Sequence, residues 1–492
     1  MAAILHRSFK ERKFFLTNDA DSSLILAQGT PLGGVVATTA AHPHLHRGLK
    51  LLGTLLLTLS AITPASSVFI IAPGVISQAG SGAIISYLAA AVVGVFMAFV
   101  YAELGSAFPL TGGEYAIAAR TLGRLPGFVV LGLILITQLL IIAVIALGVG
   151  AYLSVVFPGL HGPSVAAVTC LLTTVVAVFD IKLNAWVTGV FLAIEMAALV
   201  VVSALGLFHP ERALGELLAR PVVAGHGGAL VAASLGLIGA ATAVAIFSYN
   251  GYGSAVYFGE EVQDAPKSIA KTVLWALGVT VAAELVPVTA VLLGAPSLSG
   301  LFGAENMMQY FVTARAGSTV NTVISLAVAL AILNAVLAII LITSRMLFST
   351  GRDRAWPAPA SRLLSAVHAR YGSPWAATVL TGVVSAACCF IDERFLLVVT
   401  GTSIVAVYAA LCLGAIAGRR NGTTRHAAYR MPWFPVAPVL ALAALAYVTY
   451  LNALDPVTGR PSLYVTAGIA VLSAAYYLGV LRRRGGWDLA EP

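Results

Sequence analysis

Stretches of about 20 apolar residues recur along this chain from residue 49 to residue 481, and no other feature limits its fold as strongly. A helix of about 20 residues crosses the hydrocarbon core of a bilayer. Twelve such segments are predicted, at 49–78, 82–106, 125–157, 162–180, 183–208, 229–260, 269–294, 317–350, 374–391, 394–418, 433–454 and 461–481, and they are called segments 1 to 12 below. Segments 3, 6 and 8 are long enough to tilt or to carry extra turns. The sequence is 59% hydrophobic and only 10% charged, whereas a soluble domain carries about a quarter charged residues. The expected fold class is therefore an all-α integral membrane protein. Residues 1–20 are charged and lack an apolar core, so no cleavable signal peptide is read.

The net charge of +8 follows membrane topology rather than nucleic-acid recognition. With twelve spans, 23 of the 28 Lys and Arg fall on the side of the two termini. Only Arg212, Arg220, Arg315, Arg394 and Arg460 fall on the other. Basic residues favour the cytoplasmic side, so both termini are expected there, in a multi-pass protein of the plasma membrane. An odd number of spans would scramble the asymmetry. No nucleic-acid partner is expected; the bilayer itself is the main one.

Two segments are interrupted. Segment 1 is broken by Thr63-Pro64-Ala65-Ser66-Ser67, and segment 6 by Ser248-Tyr249-Asn250-Gly251-Tyr252-Gly253. They lie five spans apart. Unwound backbone inside a bilayer is tolerated where it lines a cavity or binds a ligand. A pair of interrupted segments at matching positions of two halves points to the substrate site of a secondary transporter. A mere kink is the alternative for either break taken alone.

Other chemistries lack support. The chain has no Gly-Lys dipeptide and so no phosphate loop, no Gly-x-Ser-x-Gly elbow and no His-Glu-x-x-His helix. No enzyme activity and no cofactor are expected. Cys170, Cys388, Cys389 and Cys412 all fall in predicted spans, which speaks against a disulfide framework. The connection at 157–162 has no cysteine, so no disulfide-linked accessory subunit is expected. Residues 1–47 read as a polar, mobile cytoplasmic tail in which His42, His44 and His46 are read as solvated rather than as metal ligands.

Three stretches resemble the amino acid–polyamine–organocation superfamily. Ala65-Ser66-Ser67-Val68-Phe69 stands where that family has a Gly-Ser/Thr-Gly-Ile-Phe run. Segment 2 and the following loop read Ala102-Glu103-Leu104-Gly105-Ser106-Ala107-Phe108-Pro109, then Gly112-Gly113-Glu114-Tyr115, a highly specific signature. Phe247-Ser248-Tyr249-Asn250-Gly251-Tyr252, followed by Glu260-Glu261 and Asp264-Ala265-Pro266, is similar to the family's segment 6 pattern. Segment 8 also closes in a family-like way at Ser344–Phe348 and Gly351–Arg354.

The resemblance implies two inverted repeats, at 48–208 and 229–420, with two appended helices at 433–484. It implies that the substrate carboxylate meets Ala65, Ser66 and Ser67 beside Thr63. The ammonium would meet the carbonyls of Phe247, Ser248 and Asn250, near Tyr249 and Gly251. Helix-end physics agrees, since unwinding leaves free N–H groups at one end and free carbonyls at the other. Gln138 is a candidate pocket-lining residue. The sequence departs from the family at Ala65 and Ser67, which should stiffen the first break, and at Gly253, which is expected to leave room for a larger substrate or to remove a charge contact.

Glu195 lies in the middle of segment 5, where an ionisable group costs at least ~2.5–3.5 kcal/mol unless it faces a cavity or a partner. It is expected to be a reversible proton site, or alternatively a sodium ligand together with segment 1 carbonyls and Asn334 of segment 8; a structural hydrogen bond to a neighbouring helix, or snorkelling, is the third reading. Glu284 is read as structural, compensating for Pro287. Glu103 is expected to pair with basic loop residues, and Glu260 and Glu261 to act as an inner gate near Lys267 and Lys271. The function read from these residues is secondary transport of a neutral amino acid or small amine-bearing relative by alternating access, with proton coupling. Sodium coupling and exchange are the alternatives, and a membrane amino acid sensor is the alternative from another class.

Overall fold

A computed structural model describes residue 45 and residues 47–489, except 155–156, 158, 161, 226–227, 393–394, 397–398, 401 and 486. The histidine-bearing tail, apart from Leu45 and Arg47, lies outside the described residues. The protein is all-helical but for one short hairpin. Nine helical stretches among the described residues are long and apolar enough to cross a membrane, and the first, Leu51–Ala107, contains both segments 1 and 2. Segments 4 and 9 form the shorter apolar helices Pro163–Ala177 and Trp375–Cys388. Large apolar side chains such as Leu172, Trp186, Trp275 and Leu472 are exposed on the outer faces, as a lipid-facing surface requires.

Segment 1 lies at the centre. Its first half, Leu51–Ile62, packs against segments 5, 7 and 8 and against the second half of segment 6. Its second half, Ala72–Ala79, packs against the first half of segment 6, Leu235–Ser248. The two broken segments therefore exchange partners at their breaks. Leu49, just before segment 1, exchanges two backbone hydrogen bonds of 2.9 Å with Glu261 and Gln263, just after segment 6.

Three boundaries differ from the sequence reading. Residues 229–234 are not helical: Leu230–Ala232 pairs antiparallel with Val222–Ala224 in a hairpin. The run Ala229–Ala233 is equally apolar in either conformation, but Gly225 and Gly228, the latter at φ 79°, help to turn the chain. The helix starts only at Leu235, where the Ser234 hydroxyl accepts the Leu237 N–H. Segment 8 is preceded by a helical stretch from Met307, and the join is Gly317 at φ 82°. Segment 10 is a continuous helix only over Ser403–Asn421.

Candidate functional site

The first break is narrower than its sequence suggests. Only Thr63 leaves helical geometry, at φ 51°, and Pro64 restarts the helix at once. Proline disfavours helical geometry in the residue before it and is well suited to a first helical position. A β-branched residue in the left-handed region is strained by about 1–2 kcal/mol. Ala65, Ser66 and Ser67 fit a helix as glycines would not, and the next turn, Ser67–Ile71, is widened to a π-helix. The five-residue break expected here is thus one residue of αL backbone followed by a loosened turn.

The second break is wider. The helix ends at Ser248, Gly251 takes φ 117°, and a 3-10 stretch covers Tyr252–Phe258. Glycine is required at 251 twice over. The backbone is left-handed, and a Cβ there would stand 2.9 Å from the Cγ1 of Ile62, the last helical residue before the first break. The breaks therefore touch. They are also bonded: the Ser67 hydroxyl donates to the Ser248 carbonyl at 3.0 Å.

Two glutamates are brought to this crossing. Glu195 Oε1 accepts the Ala65 N–H at 2.7 Å, so segment 5 holds the restarted helix by its first free amide. Glu284 Oε2 accepts the Ser248 hydroxyl at 2.6 Å, and Tyr87 shares that hydroxyl at 3.1 Å. Both side chains are fully buried, and Glu195 Oε2 and Glu284 Oε1 have no hydrogen-bond partner among the described residues. Among the described residues no Lys or Arg pairs with either. Glu284 is thus part of the crossing. Its Oε2 is taken by Ser248 of segment 6.

The remaining expected site residues divide. The Thr63 hydroxyl donates to Ser66 Oγ at 2.9 Å. Tyr249 is buried edge-on against Tyr87 with ring centroids 5.4 Å apart. Asn250 Oδ1 accepts the Tyr408 hydroxyl from segment 10. The Phe247 side chain is 40% exposed, and its carbonyl already takes the Asn250 N–H at 3.0 Å. Asn334 donates to Ser60 Oγ at 3.0 Å, before the break, whereas Glu195 bonds beyond it. Gln138 is half-buried and makes no hydrogen bond among the described residues. The room expected at Gly253 is absent, since a Cβ there would lie 2.5 Å from the Tyr101 ring. That ring donates its hydroxyl to Glu114 at 2.9 Å.

The basic partners of the other acidic residues differ from expectation. Glu260 and Glu261 do not meet Lys267 or Lys271. Lys267 faces out and reaches only Asp264, at 4.0 Å. Instead Arg345 of segment 8 clamps Glu261 through two bonds of 2.6 and 3.0 Å, with both side chains at most 1% exposed. Arg352 clamps Glu260 at 2.5 and 2.8 Å, and Thr111 adds its N–H and hydroxyl to the same carboxylate. Burial acts to raise the Glu260 carboxyl, but Arg352 and the Thr111 donors override it and hold it below the usual range. Glu103 pairs with Arg419, in the last turn of a helix rather than a loop, through two bonds of 2.6 Å. These arginines lie from 84 to 316 residues away in sequence, which is why spacing pointed to nearer lysines.

Two broken helices crossed inside an apolar helical assembly, with buried acceptors at the crossing, define a membrane permease. The chain belongs to the amino acid permease family, whose profile matches residues 49–472, within the amino acid–polyamine–organocation superfamily. It is 30% identical to an uncharacterised transporter of Mycobacterium tuberculosis over 386 residues, which cover 76% of this chain and 82% of the relative. A branched-chain amino acid permease of Bacillus subtilis is 23% identical, over 83% of this chain and 88% of its own. A probable GABA permease of Pseudomonas aeruginosa is 24% identical, over 90% and 94%.

Proposed function

We propose that this permease is a proton-coupled secondary transporter that moves an amino acid or a small amine-bearing relative across the plasma membrane by alternating access. In this reading it has twelve spans, of which segments 1–5 and 6–10 form inverted repeats and segments 11 and 12 are appended, with both termini cytoplasmic. The exchange of partners between the halves of segments 1 and 6 supports that symmetry. The branched-chain and GABA permeases among its relatives support a substrate carrying an amino group.

The observation that carries the coupling is the hydrogen bond from the Ala65 N–H to Glu195. An ionised Glu195 is a strong acceptor and holds the segment 1 break to segment 5. Protonation weakens that acceptor and loosens the break, so a proton on Glu195 biases one packing of segment 1 over another. The unpartnered Oε2 is the atom that takes the proton. Glu260 and Glu261 with their arginines form the inner gate in this reading, breaking and remaking their pairs as access alternates.

Uptake of radiolabelled substrate into proteoliposomes with an inward proton gradient tests this. Wild type should accumulate substrate, and Glu195→Gln should bind it but lose gradient-driven accumulation. Accumulation driven by sodium alone would replace the proton with sodium at Glu195 and Asn334. Counterflow without gradient dependence would make the protein an exchanger. Binding without flux would make it a sensor.

A further inference from the structure

We propose that Glu284 is the ammonium-binding residue of this site and that the preferred ligand is a primary amine without a carboxylate. The inference rests on the transporter reading above and narrows its substrate class. Three observations lead to it.

The first is that the anion-binding position of the crossing is already filled. The Ala65 N–H, which the sequence reading assigned to a substrate carboxylate, donates to Glu195 at 2.7 Å. The Ser66 and Ser67 hydroxyls are engaged with Thr63 and with the Ser248 carbonyl. A second carboxylate arriving here would meet the carboxyls of both Glu195 and Glu284, which bond to the two breaks. Like charges in a medium of low dielectric repel strongly. An amino acid zwitterion would have to displace one carboxylate in order to seat its own.

The second is that the cation-binding position is open in the chemical sense. Glu284 Oε1 is a buried acceptor with no partner, and Glu284 Oε2, Ser248 and Tyr87 fix the carboxyl from its other side. The buried arginines are consumed elsewhere, by Glu260 and Glu261. An ammonium has three donors and no acceptor, which matches a carboxylate oxygen lacking a donor. The Ser248 carbonyl, on the same residue, is an additional acceptor beside it.

The third is the approach. A surface cavity of about 840 Å³ lies where the end of segment 3 meets the start of the Met307 helix. Its lining includes Glu305, Asn306, Gln309 and Tyr310, and no basic residue. Two residues before the lining residue Ser154, Tyr152 donates to the Phe69 carbonyl, which ties the segment 3 wall of the cavity to the widened turn after the first break. A mouth with one carboxylate and no cation concentrates amines and repels carboxylates.

The test uses the full-length protein in detergent and in liposomes with matched pairs of ligands: isoamylamine against leucine, and butylamine against 4-aminobutyrate. Each amine should bind at least tenfold more tightly than its carboxylated counterpart. Glu284→Gln should weaken amine binding at least tenfold without changing the elution profile or melting behaviour of the protein, and Glu284→Asp should recover part of it. Tighter binding of the carboxylated partners by wild type overturns the inference, and so does unchanged amine binding in a folded Glu284→Gln. If leucine or 4-aminobutyrate accumulates in liposomes while the amines do not, this inference falls and the transporter reading stands. If neither class binds or accumulates, both fall. Should Glu284→Gln fail to fold, the wild-type comparison of matched pairs decides alone.

Discussion

Two sets of glutamates in this permease differ chiefly in partner, and the buried Glu114, whose Oε1 takes the Tyr101 hydroxyl, belongs to neither. Glu103, Glu260 and Glu261, at one end of the helices, are each gripped by an arginine fork. Glu195 and Glu284, at the crossing of the broken helices, each hold one neutral donor and leave one oxygen without any. A charge that is buried and fully paired is part of the framework in this conformation. In the proposed reading, the half-satisfied carboxyls at the crossing are where ligand and proton bind, because an unpaired buried oxygen has a free-energy cost. In the proposed reading, the difference separates the groups of the inner gate from the groups that handle ligand and proton.

The sharpest way to break this comparison is to remove an arginine. Arg345→Met leaves Glu261 buried without a partner and should cost about 3–5 kcal/mol, read as a large fall in the thermal midpoint in detergent. Adding Glu261→Leu should restore most of the loss, since an apolar pair of similar volume avoids the desolvation of both charges. If Arg345→Met melts like wild type, the pair is not framework and the contrast collapses.

Next in size is Gly251→Ala. It places a Cβ 2.9 Å from Ile62 on backbone at φ 117°, and should cost roughly 2–3 kcal/mol of stability. The second substitution Ile62→Ala, which removes the clashing Cγ1, should cost less in the Gly251→Ala protein than in wild type if the breaks touch as described, and melting curves of the four proteins would show it. Glu195→Gln should behave in the opposite way. It removes a half-satisfied carboxyl while keeping an acceptor for Ala65, so the midpoint should stay level or rise by the equivalent of up to about 1 kcal/mol while proton-driven uptake is lost.

The smallest effect expected is that of pH on the Glu260 clamp. Its carboxyl is held below its ordinary value of 4.5 in the folded protein, so it contributes stability that is complete above about pH 4.5. That contribution is lost as pH falls through the lowered folded-state value. Arg352→Gln should flatten the acid limb of a plot of melting midpoint against pH, and an unchanged limb would remove Glu260 from the paired group.

Much of the architecture is legible in one dimension because a bilayer imposes a length and a polarity on each span. That logic located the two breaks from Pro64 and from the glycines around Asn250, since proline and glycine act locally on φ and ψ. It placed segment 6 too early, because Ala229–Ala233 is as apolar in a strand as in a helix. It also read Gly253 as free space, when the missing side chain is where the Tyr101 ring packs.

The site was legible only in part. Glu195, Ser67 and Ser248 were recognisable from depth and from the breaks, but Glu284 was read as compensation for Pro287, and Tyr87 and Tyr408 carried no local signal. The sequence by itself determined that the chain is a helical membrane protein with two interrupted spans and an ionisable group in a third. These properties depend on runs of neighbouring residues. Only the tertiary structure decided which carboxylates meet arginines and which meet the breaks, because those pairs join residues 36 to 316 positions apart and a charge is satisfied by what lies beside it in space.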